Sequence, residues 1–182
     1  MRKHIIKAII VIIVLIISIP IFAKVAIISS PRTIPATGTI EVGFSPQGGI
    51  TDMIVKELNS AKSSIEVQAY SFTSPPIAKA LVDAEKRGVK VRVIVDKSQK
   101  TEKYSIVTYL TNAGVPVHID TGFAIAHSKI MIVDQINVIT GSFNFTKSAE
   151  ERNAENCLIL RGNKELADLY MKNWQWRWDA TQ

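Results

Sequence analysis

From Ile40 onward, short runs of β-branched and apolar residues alternate with runs in which apolar residues recur every third or fourth position. A period of two marks a strand with one face buried, and a period near 3.6 marks an amphipathic helix. Ile40 to Phe44 reads as a strand and Ser45 to Gly49 as a loop. Ile50, Met53, Ile54, Leu58 and Ala61 then share one helical face. Ile65, Val67 and Ala69 alternate as a strand does. Pro75 and Pro76 open the next helix, where a missing N–H costs nothing, and Gly88 closes it. Val89 to Val95 is a β-branched run ending at Asp96. A polar loop from Lys97 to Lys103 leads to a helix around Tyr104 to Ala113, stopped by Gly114. Val115 to Ile119, His127 to Val133, Asn137 to Thr140 and Cys157 to Leu160 read as further strands. Asp134-Gln135 forms a tight turn, and a helix from Lys164 to Trp178 ends the domain. Strands alternating with helices predict an α/β domain.

The segment before Ile40 obeys a different pattern. Arg2, Lys3 and Lys7 precede an almost wholly aliphatic run from Ala8 to Ile19, followed by Pro20 and Ile21-Phe22-Ala23. A basic start, an apolar middle and a small residue at the end are the layout of a secretory leader. Ala23 suits cleavage, although Ile21, third from that cut, is larger than the preferred small residue. An uncleaved anchor is the competing reading, because Ala8 to Ala23 falls just short of a bilayer span and Val25 to Ile28 could extend it. Both readings export the domain, to the periplasm or the medium or tethered to a membrane. The expected organisation is a leader or anchor at 1–23, a breaker-rich linker at 24–39 and one domain at 40–182.

Composition narrows the chemistry. The formal charge of +6 would suit a polyanionic partner, but three of those charges are Arg2, Lys3 and Lys7, leaving +3 for the rest. Cys157 is the only cysteine, so no intrachain disulfide forms, and its apolar neighbours Leu158-Ile159-Leu160 mark it as buried. His4, His118 and His127 are the only histidines, too few for a zinc cluster. No metal or cofactor is expected.

Candidate chemistry concentrates in His127-Ser128-Lys129-Ile130-Met131-Ile132-Val133-Asp134, followed by Gly141-Ser142-Phe143-Asn144. Strand alternation puts His127, Lys129 and Met131 on one face, imidazole beside ammonium. A neutral imidazole can attack phosphorus, and a lysine two residues away can offset the charge that builds on the non-bridging oxygens. Gly141 permits close backbone approach, while the Ser142 hydroxyl and Asn144 amide can donate to phosphate oxygens. Glu155, just before a strand, could hold the second ring nitrogen of His127 and fix its tautomer. Asp134 has the opposite parity to His127 and suits a turn contact or salt bridge.

The array His127-x-Lys129-x-x-x-x-Asp134, Gly141-Ser142-x-Asn144 and Glu155 resembles the phospholipase D superfamily, most closely its small single-motif bacterial members. The resemblance runs from about Ile40 to Trp178 and implies a mixed β-sheet flanked by helices on both faces. It further implies that His127 forms a covalent phosphohistidine without metal, while a second histidine protonates the leaving oxygen and then activates water. Carried onto this chain, the catalytic set is His127, Lys129, Asp134 and Glu155, with Asp134 its structural member. Lys129, Ser142 and Asn144 would bind the phosphate. The motif occurs once, and His118 has no lysine two residues on, so the resemblance implies a two-fold homodimer with a composite site to which each subunit gives one His127.

The motif names the bond and leaves the alcohols open. Resemblance to a small secreted endonuclease, with Lys97, Lys100 and Lys103 in one loop, favours nucleic acid cut without strong sequence preference. The alternative is a phospholipase D on a phospholipid membrane, for which Phe123-Ala124-Ile125-Ala126 beside His127 and the tryptophans Trp174, Trp176 and Trp178 are the candidate contacts. Helical spacing groups Trp174 with Trp178, which suits core or dimer packing better than lipid. The same burial, under a dimer interface, is expected of the apolar loop. An inactive binding module is the remaining reading, and the intact array disfavours it.

Overall fold

The structure, a computed structural model, describes residues 30–181. The leader or anchor at 1–23 and the first part of the linker lie outside the described residues. The chain divides between Thr33 and Ile34, and the second unit, which begins at Ile34, holds the strands and helices of the domain. Residues 31–37 carry no regular structure.

Seven strands form one mixed sheet in the order β1-β7-β6-β5-β2-β3-β4. They are β1 (Thr39–Ser45), β2 (Ser64–Ala69), β3 (Lys90–Asp96), β4 (Val117–Asp120), β5 (Lys129–Val133), β6 (Asn137–Gly141) and β7 (Glu155–Arg161). β2, β3 and β4 run parallel; β5, β6, β7 and β1 join them as antiparallel neighbours. Parallel neighbours need crossovers, which explains why helices interrupt the first half of the domain and hairpins the second. The helices are α1 (Ile50–Ser60), α2 (Pro75–Lys86), α3 (Val107–Asn112), α4 (Lys147–Glu151) and α5 (Lys164–Asp179), with a 3-10 turn at Lys97–Lys100.

Each sheet face is buried for a reason visible in the sequence. Ile50, Ile54 and Leu58 of α1, four residues apart, are fully buried, as are Ile77 and Leu81 of α2. They pack with Val67, Val93 and Met131 of the sheet in one apolar cluster. Burying one such side chain contributes about 1.5–3 kcal/mol, so Leu81→Ala would cost about 2–5 kcal/mol. On the opposite face Trp174 of α5 lies against Ile94 and Ile132, and its indole N–H donates to the Val67 carbonyl at 2.9 Å.

The structure departs from the sequence reading in several places. The helix at Tyr104–Ala113 shortens to Val107–Asn112, and the strand at Val115–Ile119 becomes Val117–Asp120. The short α4 and the 3-10 turn leave no mark in the sequence pattern; neither is long enough to show a hydrophobic period. α4 nonetheless matters, because Glu150 accepts the amides of Gly49 (2.9 Å) and Thr51 (2.7 Å) at the start of α1. β2 alternates in sequence, yet every residue in it is buried. Its polar members lie under α5, where Glu66 pairs with Arg92 at 3.1 Å and Arg92 stacks 4.5 Å above Trp174. Burial raises the Glu66 carboxyl above its ordinary value, with Arg92 opposing the shift.

Candidate active site

Antiparallel pairing of β5 with β2 sets Lys129 opposite Ala69, and Val133 opposite Ile65. The start of β5 therefore shares a sheet edge with the C-terminal ends of β2 and β3, whereas its end lies with the start of β2. Ligands of α/β sheets gather at the carboxyl ends of parallel strands. That geometry separates the motif into two parts.

At the first edge, a cavity of about 340 Å³ is lined by His127, Lys129, Gly141, Ser142, Asn144 and Glu155. Every one of these belongs to the set that the sequence pattern singles out. β5 begins at Lys129 rather than His127, so the histidine sits on an irregular approach to the strand and is exposed, while Lys129 is only 6 % exposed. Lys129 Nζ donates to the main-chain oxygen of His127 at 2.7 Å, which binds ammonium and histidine into one local unit. Burial pulls the Lys129 ammonium below its ordinary value, and the nearby Glu155 charge pulls it back. A partly desolvated cation is a stronger electrostatic partner for a phosphate than one in bulk water.

The turn after β6 brings the other residues in. A Cβ at Gly141 would stand 2.3 Å from the Asn156 carbonyl oxygen, so only glycine lets the chain pass. That carbonyl accepts the amides of Ser142 (3.1 Å) and Phe143 (3.2 Å), fixing the turn against β7. Asn144 Oδ1 is buried without a hydrogen-bond partner among the described residues. Leaving such an acceptor unpaired costs about 1–3 kcal/mol.

Glu155 has intrachain partners other than the one first expected of it. Within the chain it does not bond His127: Oε2 accepts from Ser142 Oγ at 2.6 Å and Oε1 from Asn153 Nδ2 at 3.0 Å. The physical reason is the Gly141 turn, which lays Ser142 directly on the first residues of β7; Asn156 N also donates to Ser142 Oγ at 3.0 Å. Glu155 thus orients the serine, and the imidazole has no hydrogen-bond partner among the described residues.

Asp134 stands at the far end of β5. Its carboxylate accepts the amides of Lys62, Ser63 and Ser64 at 2.7–3.1 Å and the Ser63 hydroxyl at 2.9 Å. Partial burial opposes ionisation, but those bonds outweigh it and hold the carboxyl below its ordinary value. It ties the turn to the start of β2 and touches no reacting group, so its place in the catalytic set is a structural one. His118 is equally remote from the cavity: it stacks on Trp178 at 3.6 Å and its Nδ1 lies 3.2 Å from Thr181 Oγ1. Cys157 is buried, and desolvation pushes its thiol up to about 12.

Two residues escape the sequence reading. Tyr70, just past β2, packs its ring 4.6 Å from the His127 imidazole and 5.1 Å from Lys129 Nζ, and its amide donates to the Ser128 carbonyl. Asp96, at the end of β3, accepts the Ala126 amide at 2.7 Å and the Ser98 amide at 2.9 Å. It pins the chain one residue before His127, and these bonds overcome burial to hold its carboxyl below the ordinary value. Their only signal in the sequence is position, since both close strands that prove parallel. Among the described residues, no group of three or more His, Cys, Asp and Glu side chains could hold a metal ion.

An exposed histidine and a buried lysine facing a Gly-Ser-x-Asn turn, on the open edge of a mixed seven-stranded sheet, define a phospholipase D-like domain. Residues 54–178 match the family model described as "Cardiolipin synthase, PLD-like domain", and the chain belongs to this family. It is 46 % identical over 131 residues to a phospholipase D of Rickettsia prowazekii (strain Madrid E), covering 72 % of this chain and 63 % of the relative. The mitochondrial cardiolipin hydrolase of Mus musculus is 30 % identical over 154 residues, 85 % of this chain and 69 % of that one. The chain thus spans about two thirds of the length of these curated relatives. Among solved structures, the phospholipase D family member Nuc from Salmonella typhimurium superposes with a TM-score of 0.76 at 43 % identity, over 79 % of this chain and 96 % of that one. The fold is the mixed sheet with helices expected from the sequence.

Proposed function

We propose that this protein is an exported phosphodiesterase that cleaves through a phosphohistidine on His127, in a homodimer whose paired subunits complete one site. The observation that carries the reading is the cavity itself, where an exposed imidazole, a desolvated ammonium, a hydroxyl and an amide converge. Neutral His127 attacks phosphorus, the bond to one alcohol breaks, and Lys129 with Asn144 offsets the charge on the non-bridging oxygens. The leaving oxygen needs a proton, and the one other histidine in the domain is stacked on Trp178. A second subunit supplies a second His127 as general acid, then as base for the water that frees the histidine. Export rests on the basic, then apolar, N-terminal sequence.

Nucleic acid is the substrate this reading favours. Lys97, Lys100 and Lys103 are exposed on the segment that leaves β3 at the same sheet edge as His127. Such a loop suits a phosphate backbone. A phospholipid is the second reading, supported by Phe123 and Ile125, 41 % and 58 % exposed just before His127, and by relatives named for phospholipid cleavage. The test is to incubate the protein, with EDTA present, with plasmid, single-stranded oligonucleotide and phosphatidylcholine vesicles in parallel. Cleavage of nucleic acid alone is expected. Choline release alone would reject the nucleic-acid reading, and hydrolysis of none of these would reject the phosphodiesterase reading.

A further inference from the structure

Two depressions larger than the site cavity flank the segment from Glu102 to Tyr109, and they meet at Ser105. One, of about 710 Å³, runs between the start of α2 and α3. Its floor is formed by Ala78 and Ile106, which are almost fully buried, and its exposed walls belong to Pro75, Pro76, Lys79, Tyr104 and Tyr109. Tyr104 is 68 % exposed and Tyr109 48 %. Two exposed aromatic rings that share one apolar groove, rather than standing singly on the surface, mark a ligand-binding surface. The second depression, of about 690 Å³, is polar; Lys100, Lys103, Ser105 and Thr108 line it together with Glu102 and Asp179.

The aromatic groove adjoins the catalytic residues. The amides of Thr73 and Ser74, at its head, both donate to the Phe145 carbonyl at 2.9 Å, and Phe145 follows Asn144 directly. Lys103 Nζ sits 5.3 Å from the Tyr104 ring centre, so cation and ring form one surface. Lys79, the cation on the groove wall, is already paired with Asp83. Flat rings with lysines on one side only match a ligand made of π-faces joined by a polyanionic backbone. A duplex would offer no free base faces.

We infer that Tyr104 and Tyr109 form a base-stacking subsite for single-stranded nucleic acid, holding nucleotides on one side of the scissile phosphate while Lys100 and Lys103 meet the backbone. This rests on the phosphodiesterase reading of the neighbouring site and deepens it: the preferred substrate is unpaired, and its bases are gripped without being read.

The test separates binding from chemistry. Affinity for a fluorescein-labelled dodecathymidylate is measured by anisotropy in the His127→Ala background, with Tyr104→Ala, Tyr109→Ala and the corresponding Tyr→Phe changes. Hydrolysis of bis(p-nitrophenyl) phosphate, which carries one phosphate and no nucleotide chain, is measured in the same variants with His127 intact. Each alanine should weaken oligonucleotide binding about 5- to 100-fold, phenylalanine should restore it, and the small diester should be cleaved at the parent rate. Unchanged oligonucleotide affinity would overturn the subsite. So would binding lost equally in the phenylalanine variants, a parallel fall in small-diester hydrolysis, or weakened binding to phosphatidylglycerol vesicles with the oligonucleotide unaffected. If the parent leaves the small diester intact while the tyrosine effects on binding appear, the subsite stands and the phosphodiesterase reading falls.

Discussion

At one end of β5, Asp134 is tied by amide and hydroxyl donors from three consecutive residues, Lys62 to Ser64. At the other end, His127 is exposed with no hydrogen bond to its ring among the described residues, and Asn144 beside it keeps a buried oxygen unpaired. Both ends belong to one sequence motif, and the strand between them is buried and apolar. The Asp134 end satisfies its polar groups and holds the strand in register. The other leaves bonding capacity for something outside the chain. A buried unpaired atom is not by itself diagnostic, since Gln68 in β2 and Arg92 in β3 also hold such atoms; an exposed, unbonded imidazole beside a buried ammonium, at the carboxyl ends of parallel strands, is the physical sign of a site.

That contrast breaks cleanly by mutation. His127→Ala should lower phosphodiester hydrolysis by about 10⁴-fold or more while the melting temperature stays close to the parent's, because the removed side chain is exposed and unbonded. A large loss of stability would mean that the open end is a scaffold after all. Lys129→Ala should lower kcat by about 10²- to 10³-fold, the usual effect of losing one group that stabilises developing charge. Asp134→Ala should invert the pattern: thermal or urea unfolding should report a loss of about 2 kcal/mol, with hydrolysis by the folded fraction within a few-fold of the parent. A collapse in the activity of folded protein would move Asp134 into the chemistry.

The smallest effect concerns pH. The Asp134 carboxyl lies lower in the folded chain than its ordinary value of about 4. Its contribution to stability is therefore complete above that value and disappears as pH falls through the folded-state value. Urea midpoints of parent and Asp134→Asn should accordingly draw together as pH falls below the ordinary value of about 4. A gap that does not narrow as the pH is lowered would show that something other than the charge is lost.

The sequence carries the membership of the site further than its wiring. Six residues chosen from spacing line one cavity, because strand period and a glycine turn are local matters that a sequence encodes directly. The parity of Asp134 with respect to His127 likewise anticipates its separation from the chemistry. What the sequence does not convey is reach. Glu155, expected on the imidazole, is instead held by Ser142 and Asn153, since Gly141 lays its turn on the Asn156 carbonyl. Tyr70 and Asp96 escape notice because their neighbours come from strand order, which places β2 between β5 and β3. Period two in β2 suggests a wet face, yet α5 covers it with Trp174, about 100 residues downstream. The apolar loop before His127 has Phe123 against Arg177, 3.7 Å from ring centre to guanidinium carbon, and Ile125 exposed.

The central claim is that the open end of β5 is half of a site. Mixed dimers carrying a tagged His127→Ala subunit and an untagged parent subunit can be purified and assayed beside both homodimers on the same diester. A shared site predicts mixed dimers as inactive as the His127→Ala homodimer; half or more of the parental specific activity in isolated mixed dimers would contradict it.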